Sequence, residues 1–152
     1  LAGRVPDPWS RDFVASPLRG TRETMERVRV RMGLPPQGYR VDPRLKEVHF
    51  GAWQGFTYSE LEANEPGCTA ARTRHKWHFL PPGTDAESYE ILATRVRAWL
   101  DDLERPTICV THGGVIRTLF HWIGGVPTSE AVELHIPQDR ILRIERDAFE
   151  WL

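Results

Sequence analysis

The chain has 152 residues, with 20 Lys and Arg against 21 Asp and Glu, 12 Gly, 12 Pro and 2 Cys. That length fits one domain, large enough to bury about two-thirds of its unfolded surface without disulfide or metal staples. A formal charge of −1 argues against a surface coated for DNA or anionic membranes, and 40% apolar residues with 6 Trp argue against disorder.

Asp12-Phe13-Val14-Ala15-Ser16 is a short apolar run that stops at Pro17, as a buried strand would. Thr21 to Met32 carries Met25, Val28 and Met32 at spacings of three and four, one face of a helix, and Gly33 and Pro35-Pro36 end it. Val41 to Trp53 reads as a strand or extended segment running into a loop. Thr57 or Ser59 caps a short helix through Glu65, and residues 69–82 read as a helix followed by a loop. Glu87 to Leu103 is the clearest amphipathic helix, with Ile91, Leu92, Val96, Trp99, Leu100 and Leu103 at helical spacing. Thr107 to Thr111 has the composition of a buried strand. His112-Gly113-Gly114 leads from it into a helix through Trp122. Two strands are expected near 131–136 and 140–146, with Pro137-Gln138-Asp139 as their turn. Strands alternating with helices indicate a layered α/β domain. No apolar run approaches the ~20 residues of a membrane-spanning helix.

Cys68 and Cys109 match no paired metal or redox spacing, and Cys109 reads as a core thiol. Two thiols without a signal peptide point to a reducing, cytoplasmic setting. The chain opens at Leu1 rather than Met, which suggests a missing beginning.

The junction at His112-Gly113-Gly114 carries the strongest chemical signal. Ligands of open α/β sheets gather at the carboxyl ends of strands, and a helix starting there offers free N–H groups and a positive dipole end to phosphate. A histidine there can donate to phosphate or shuttle a proton; the plainer reading is a glycine turn with an incidental histidine. Ser16 to Thr21 is a second strand-to-helix junction and carries Arg19, with Arg22 beyond it; guanidinium matches phosphate, or both simply decorate a solvated helix start. Glu47 precedes the aromatic, glycine-rich stretch Phe50 to Gly55. It reads as a general acid or as an ordinary surface carboxylate. Trp53, Tyr58, Trp77, His78 and Phe79 line a cleft or pack the core. Basic clusters at Arg27, Arg29, Arg31 and residues 72–78 are interleaved with acidic residues and lack a recognition motif, so no nucleic-acid partner is expected.

Taken in order, Ser16-Pro17-Leu18 with Thr24, Leu45-x-Glu47-x-x-Phe50-Gly51-x-Trp53-x-Gly55, Glu87-Ser88, and Thr111-His112-Gly113-Gly114 resemble the phosphoglycerate-mutase-like branch of the histidine phosphatase superfamily. The resemblance spans roughly residues 12–145. It implies a three-layer α/β/α sandwich around a mixed sheet, and a phosphatase or mutase acting on small phosphate esters through a phosphohistidine. His112 and Glu47 then fall in the catalytic positions and Gly113 in a phosphate-binding one; Arg19 is the phosphate-binding candidate if it swings into the pocket, and otherwise that guanidinium is missing. No metal or cofactor is required, and the partner is a small phosphorylated substrate or free phosphate.

Two departures accompany the match. The family's nucleophile lies in an Arg-His-Gly motif on a first, interior strand ahead of the Ser-Pro-Leu segment, and no histidine precedes Ser16 here. The family's phosphate-binding arginine falls at Gly20, as though Arg19-Gly20 were transposed. Together with Leu1, these features read as a single domain over 1–152 that is N-terminally incomplete and inactive by itself. An unfilled sheet would favour a homodimer. The alternative is a catalytically silent phosphatase-like binding module.

Overall fold

The apolar run Asp12–Ala15 forms β1, the middle strand of a three-stranded parallel sheet, in a computed structural model that describes residues 8–152. Helix α1 follows at Arg19–Arg31, and β2, Arg40–Val41, pairs with one side of β1. Two helices, α2 (Tyr58–Asn64) and α3 (Ala70–Arg74), precede the long helix α4 (Tyr89–Asp101). Strand β3, Thr107–Val110, pairs with the other side of β1, from Asp12 opposite Thr107 to Ala15 opposite Val110. Helix α5 covers Gly113–Trp122 and α6 covers Thr128–Ala131. A separate antiparallel pair, β4 (Leu142–Glu145) and β5 (Ala148–Trp151), closes the chain. The α/β class expected from the sequence is what the chain adopts. Among the described residues the parallel and antiparallel strands form two sheets.

The chain divides into two compact units. One is built from the chain up to Glu47 with Arg95–His112, the other from Val48–Thr94 with Gly113–Leu152. In the first, Phe13, Ala15, Met25 and Leu34 form a core with Met32, Tyr39, Ile108 and Val110 packed against it. α1 turns Thr21, Met25 and Arg29 inward at a spacing of four, one stripe of a helix. Met25 is fully buried, worth roughly 1.5–3 kcal/mol relative to exposure. The buried Arg29 stacks its guanidinium 4.6 Å over the Phe13 ring and donates from Nε to the Pro35 carbonyl, tying down the loop after α1. The Cys109 thiol is pushed up to about 12, by burial first and by the charge of Asp42 second, which suits a packed thiol and not a nucleophile.

In the second unit, Thr57 and Glu60 make a reciprocal capping box at the start of α2. Glu62 accepts from the backbone of Gly67 and Thr69 at 2.6 and 2.8 Å and fixes the link to α3. Two loops cross closely: the Ala52 N–H donates to the Pro82 carbonyl at 2.7 Å, with Gly51 at φ 56° and Gly83 at φ 100° on either side. A Cβ on Gly51 would sit 2.3 Å from the Pro82 oxygen, so only glycine fits. Trp53 and Trp77 are buried, stacked on Phe79 and Tyr89 respectively, and belong to the core; Tyr58 and His78 are exposed.

The C-terminal expectation needs correction. Residues near 131–136 are not a strand: α6 ends at Ala131, and an irregular segment buries Val132 and Ile136. The hairpin lies later, turning at Arg146-Asp147, where Arg146 takes φ 58°. Phe149 and Trp151 alternate inward onto Phe120, at centroid distances of 4.4 and 6.3 Å, and this aromatic contact sets the register.

Gly20 lies inside α1 with open space around its missing Cβ. Gly20→Ala is therefore expected to raise stability by about 0.5–1 kcal/mol, read as a higher urea midpoint at unchanged slope.

Candidate active site

Parallel pairing of β1 and β3 brings their carboxyl ends side by side. Ser16 leaves β1 and His112 leaves β3, and their side chains meet: His112 Nε2 lies 2.8 Å from Ser16 Oγ. Ser16 is fully buried and His112 half-buried. The backbone holds this pairing, because the Ser16 N–H donates to the Val110 carbonyl at 3.0 Å. The sequence places Ser16 in the Ser-Pro-Leu motif but assigns it no role; its contact with His112 spans 96 positions.

Glu47 arrives from a different direction. After β2 the chain makes a short turn, Pro43–Leu45, capped by Asp42, whose carboxylate accepts from the Arg44 N–H at 2.9 Å. Arg44 closes onto the same carboxylate through Nη2 at 2.8 Å and reaches the end of α4 through Nη1, to the Ala98 carbonyl at 3.1 Å and Asp102 at 2.6 Å. That arginine holds the Asp42 carboxyl below the usual carboxylate range, against the opposing pull of burial. Three carbonyls of the segment then take donors from functional elements. Arg95 of α4 donates from Nη1 to Arg44 O at 2.5 Å and from Nη2 to Glu47 O at 3.2 Å, and Thr111 Oγ donates to Leu45 O at 2.9 Å. The carboxylate-bearing segment is thus fixed by a helix on one side and by the residue before His112 on the other.

The charges around His112 follow. Burial lowers its pKa from the ordinary imidazole value; the Glu47 carboxylate raises it, and the Arg95 guanidinium lowers it, with a net downward shift. The net effect favours the neutral ring. An unfolded chain takes up this proton first as pH falls, so stability is expected to decline from about pH 6.5 down to the lowered folded value and then level off. Urea melts across this range check it: the His112→Asn chain should lack that part of the slope.

Gly113 opens α5, where the first N–H groups have no intrahelical acceptor. A Cβ added there would lie 3.5 Å from Arg117 Nη1, which places a guanidinium beside this helix start. Arg117 is itself held by the Leu134 carbonyl at 2.9 Å and by the Tyr89 hydroxyl at 3.3 Å. Arg19 stands apart from this gathering. Its Nε is 2.6 Å from Glu23 on the outer side of α1, and its side chain is 91% exposed. Arg95 is the cation beside His112. Sequence reasoning missed it because one arginine on an amphipathic helix looks like part of its solvated face. Among the described residues no group of three or more His, Cys, Asp or Glu gathers as a metal site, and no helix is long and apolar enough to cross a membrane.

Several known proteins are similar to this chain in sequence and fold. The chain is 35% identical over 118 residues to a glucosyl-3-phosphoglycerate phosphatase of Mycobacterium tuberculosis, covering 70% of this chain and 51% of that protein. It is 29% identical over 107 residues to a fructose-2,6-bisphosphatase of Saccharomyces cerevisiae, covering 69% of this chain and 23% of that one. The chain therefore spans about half the length of the first relative and less of the second. Among solved structures, the native mycobacterial glucosyl-3-phosphoglycerate phosphatase superposes with a TM-score of 0.70 at 31% identity, covering 88% of this chain and 65% of that one. That enzyme has also been solved with inorganic phosphate and with VO3. An α-ribazole phosphatase from Shigella flexneri shares the fold, with a TM-score of 0.77 at 20% identity over 99% of this chain and 76% of that one. A family model matches residues 1–152 throughout, and with the Ser-Pro-Leu and Thr-His-Gly-Gly segments meeting at the sheet's carboxyl edge, the chain belongs to the histidine phosphatase superfamily (branch 1).

Proposed function

We propose that the protein works as a phosphatase on small phosphate esters through a phosphohistidine, and that this chain supplies the half of the site that holds phosphate and moves the proton. The observation that supports the reading is His112 meeting Ser16 at the carboxyl ends of β1 and β3, with the Glu47 carboxylate and the Arg95 guanidinium near enough to act on the charge of its ring. In the first step a histidine nitrogen forms a bond to phosphorus as the ester P–O bond breaks. The leaving oxygen keeps the electron pair and takes the proton of Glu47. Water then attacks phosphorus, gives its proton to the Glu47 carboxylate, and the P–N bond breaks. His112 donates a hydrogen bond to the phosphoryl oxygens, and the N–H of Gly113 adds to the cradle. Arg19 joins by leaving Glu23, since so exposed an ion pair is easily broken. None of these steps calls on a metal. Hydrolysis is favoured over mutase chemistry because the motifs include no contacts for a second phosphorylated substrate.

By family position the nucleophile would precede Ser16, where residues 1–15 hold no histidine. The 152-residue chain is accordingly expected to bind inorganic phosphate, seen by 31P NMR, without turning over p-nitrophenyl phosphate. Extending it upstream with a strand that carries Arg-His-Gly should restore turnover. Robust turnover by the 152-residue chain would refute the assignment of the nucleophile. Phosphate binding with no turnover in the extended chain would favour the binding-module reading, which the missing histidine and Gly20 support.

A further inference from the structure

We propose that Ser16 is the positioning residue of the site: its hydroxyl donates to Nε2 of His112, holds the imidazole as the Nδ1–H tautomer, and so presents Nδ1–H to the bound phosphate. The presentation rests on the phosphate reading of the pocket; the positioning does not.

The argument is an accounting of donors. Ser16 is fully buried, and a buried hydroxyl proton finds an acceptor. Its oxygen already accepts from the Leu18 N–H at 3.4 Å, and among the described residues the acceptor facing its own proton is His112 Nε2 at 2.8 Å. A neutral imidazole that accepts at Nε2 carries its proton at Nδ1. The neutral state agrees with the burial that keeps this ring below the ordinary imidazole range. Ser16 cannot drift to another geometry. Its N–H is on Val110 O at 3.0 Å, and its carbonyl takes the Thr21 hydroxyl at 2.9 Å, so both sides of the residue are anchored. Nδ1–H, in contrast, meets no protein acceptor among the described residues. It is a donor left for a ligand, on a half-buried ring, one residue before the start of α5.

The test uses the 152-residue chain with 15N-labelled histidine. Long-range 1H–15N correlation at pH 7.5 should show His112 as the Nδ1–H tautomer in the parent, and should shift toward Nε2–H in Ser16→Ala. Inorganic phosphate, titrated by 31P NMR, should bind about 3–10-fold more weakly to Ser16→Ala, roughly the net worth of one oriented hydrogen bond. Ser16→Cys, which keeps a weak donor in nearly the same volume, should fall between the two. A second pair of variants reads the nitrogen directly. The Asn side-chain amide reaches where Nδ1 lies and that of Gln reaches toward Nε2, so His112→Asn should retain more phosphate affinity than His112→Gln. An Nε2–H tautomer in the parent, a tautomer unchanged in a folded Ser16→Ala chain, or Gln outperforming Asn overturns the proposal. If no variant binds phosphate, the phosphate reading and the presentation of Nδ1–H fall together, while the tautomers of the parent and Ser16→Ala still decide the positioning role.

Discussion

In the chain extended upstream with the Arg-His-Gly strand, Glu47→Gln is expected to lower kcat/KM on an alkyl phosphate by about 10²–10⁴-fold. The glutamine keeps the size and the backbone contact to Arg95 but cannot give up a proton to the departing alkoxide. On p-nitrophenyl phosphate the same change should cost much less in kcat/KM, on the order of tenfold, because kcat/KM reports the steps through loss of the leaving group and a nitrophenolate leaves without protonation; activation of water by Glu47 is common to both esters and slows kcat on either. That dependence on the leaving group separates a proton donor from a residue that merely shapes the loop, whose loss would slow both substrates alike. His112→Ala should lower kcat by about 10²–10³-fold on either ester, as expected for a group that stabilises charge on the phosphoryl oxygens and not on the leaving group. Parallel kinetics on the two esters is the deciding measurement; equal losses of kcat/KM for Glu47→Gln on both would remove the carboxylate from protonating the leaving group.

Arg44→Met is expected to cost about 2–3 kcal/mol of stability at pH 7, less than the full cost of breaking a buried pair because the arginine is partly exposed. The substitution strips a nearly buried carboxylate, Asp42, of its guanidinium and cuts the links to Ala98 and Asp102. The loss is pH-dependent with a defined sign. In the parent, Arg44 holds the Asp42 carboxyl low, so the stability this gives is present above the unfolded carboxylate value near pH 4 and is lost as pH falls through the folded one. In the variant that carboxylate is buried without its partner and its pKa rises. The difference between the two chains should then be greatest at neutral pH and shrink toward pH 3. Urea melts at both pH values measure it. A constant difference would mean that Arg44 acts through packing of its stem, not through its charge.

What could be read from the sequence was whatever local chemistry encodes. The run at 12–15, the helix from Glu87 and the His112-Gly113 junction carry their own periodicity or turn residues, and each forms close to the expected place. The order of motifs gave the family, which the whole-length match confirms. The hairpin slipped because Arg146-Asp147 turns with a left-handed arginine and no glycine, whereas Pro137-Gln138-Asp139 has turn composition without turning two strands. Ser16 and Arg95 escaped for a shared reason: each acts on a partner many positions away, Ser16 on His112 across 96 residues and Arg95 on Glu47 across 48. No pattern within a helix or strand marks such a pair. Arg19 shows the reverse case, a candidate legible from its place beside the motif position Gly20 whose side chain pairs with Glu23.

The pairing of β1 with β3 has a consequence for how the chain is made. β1 sits in the middle of its sheet, yet its longest partner lies about 95 residues further along, at Thr107–Val110. Closing so long a loop adds little to the thermodynamic cost but delays the event. At the ~5–20 residues per second of synthesis, Phe13, Val14 and Ala15 wait on the order of 5–20 s for the strand that covers them. During that interval α1, the two residues of β2 and the segment between them, with Leu34 and Tyr39, are what can shield this apolar strand. The nascent chain therefore passes through a window in which this apolar strand is uncovered on the β3 side, and expression at lower temperature or with co-expressed holdase chaperones should raise the soluble yield.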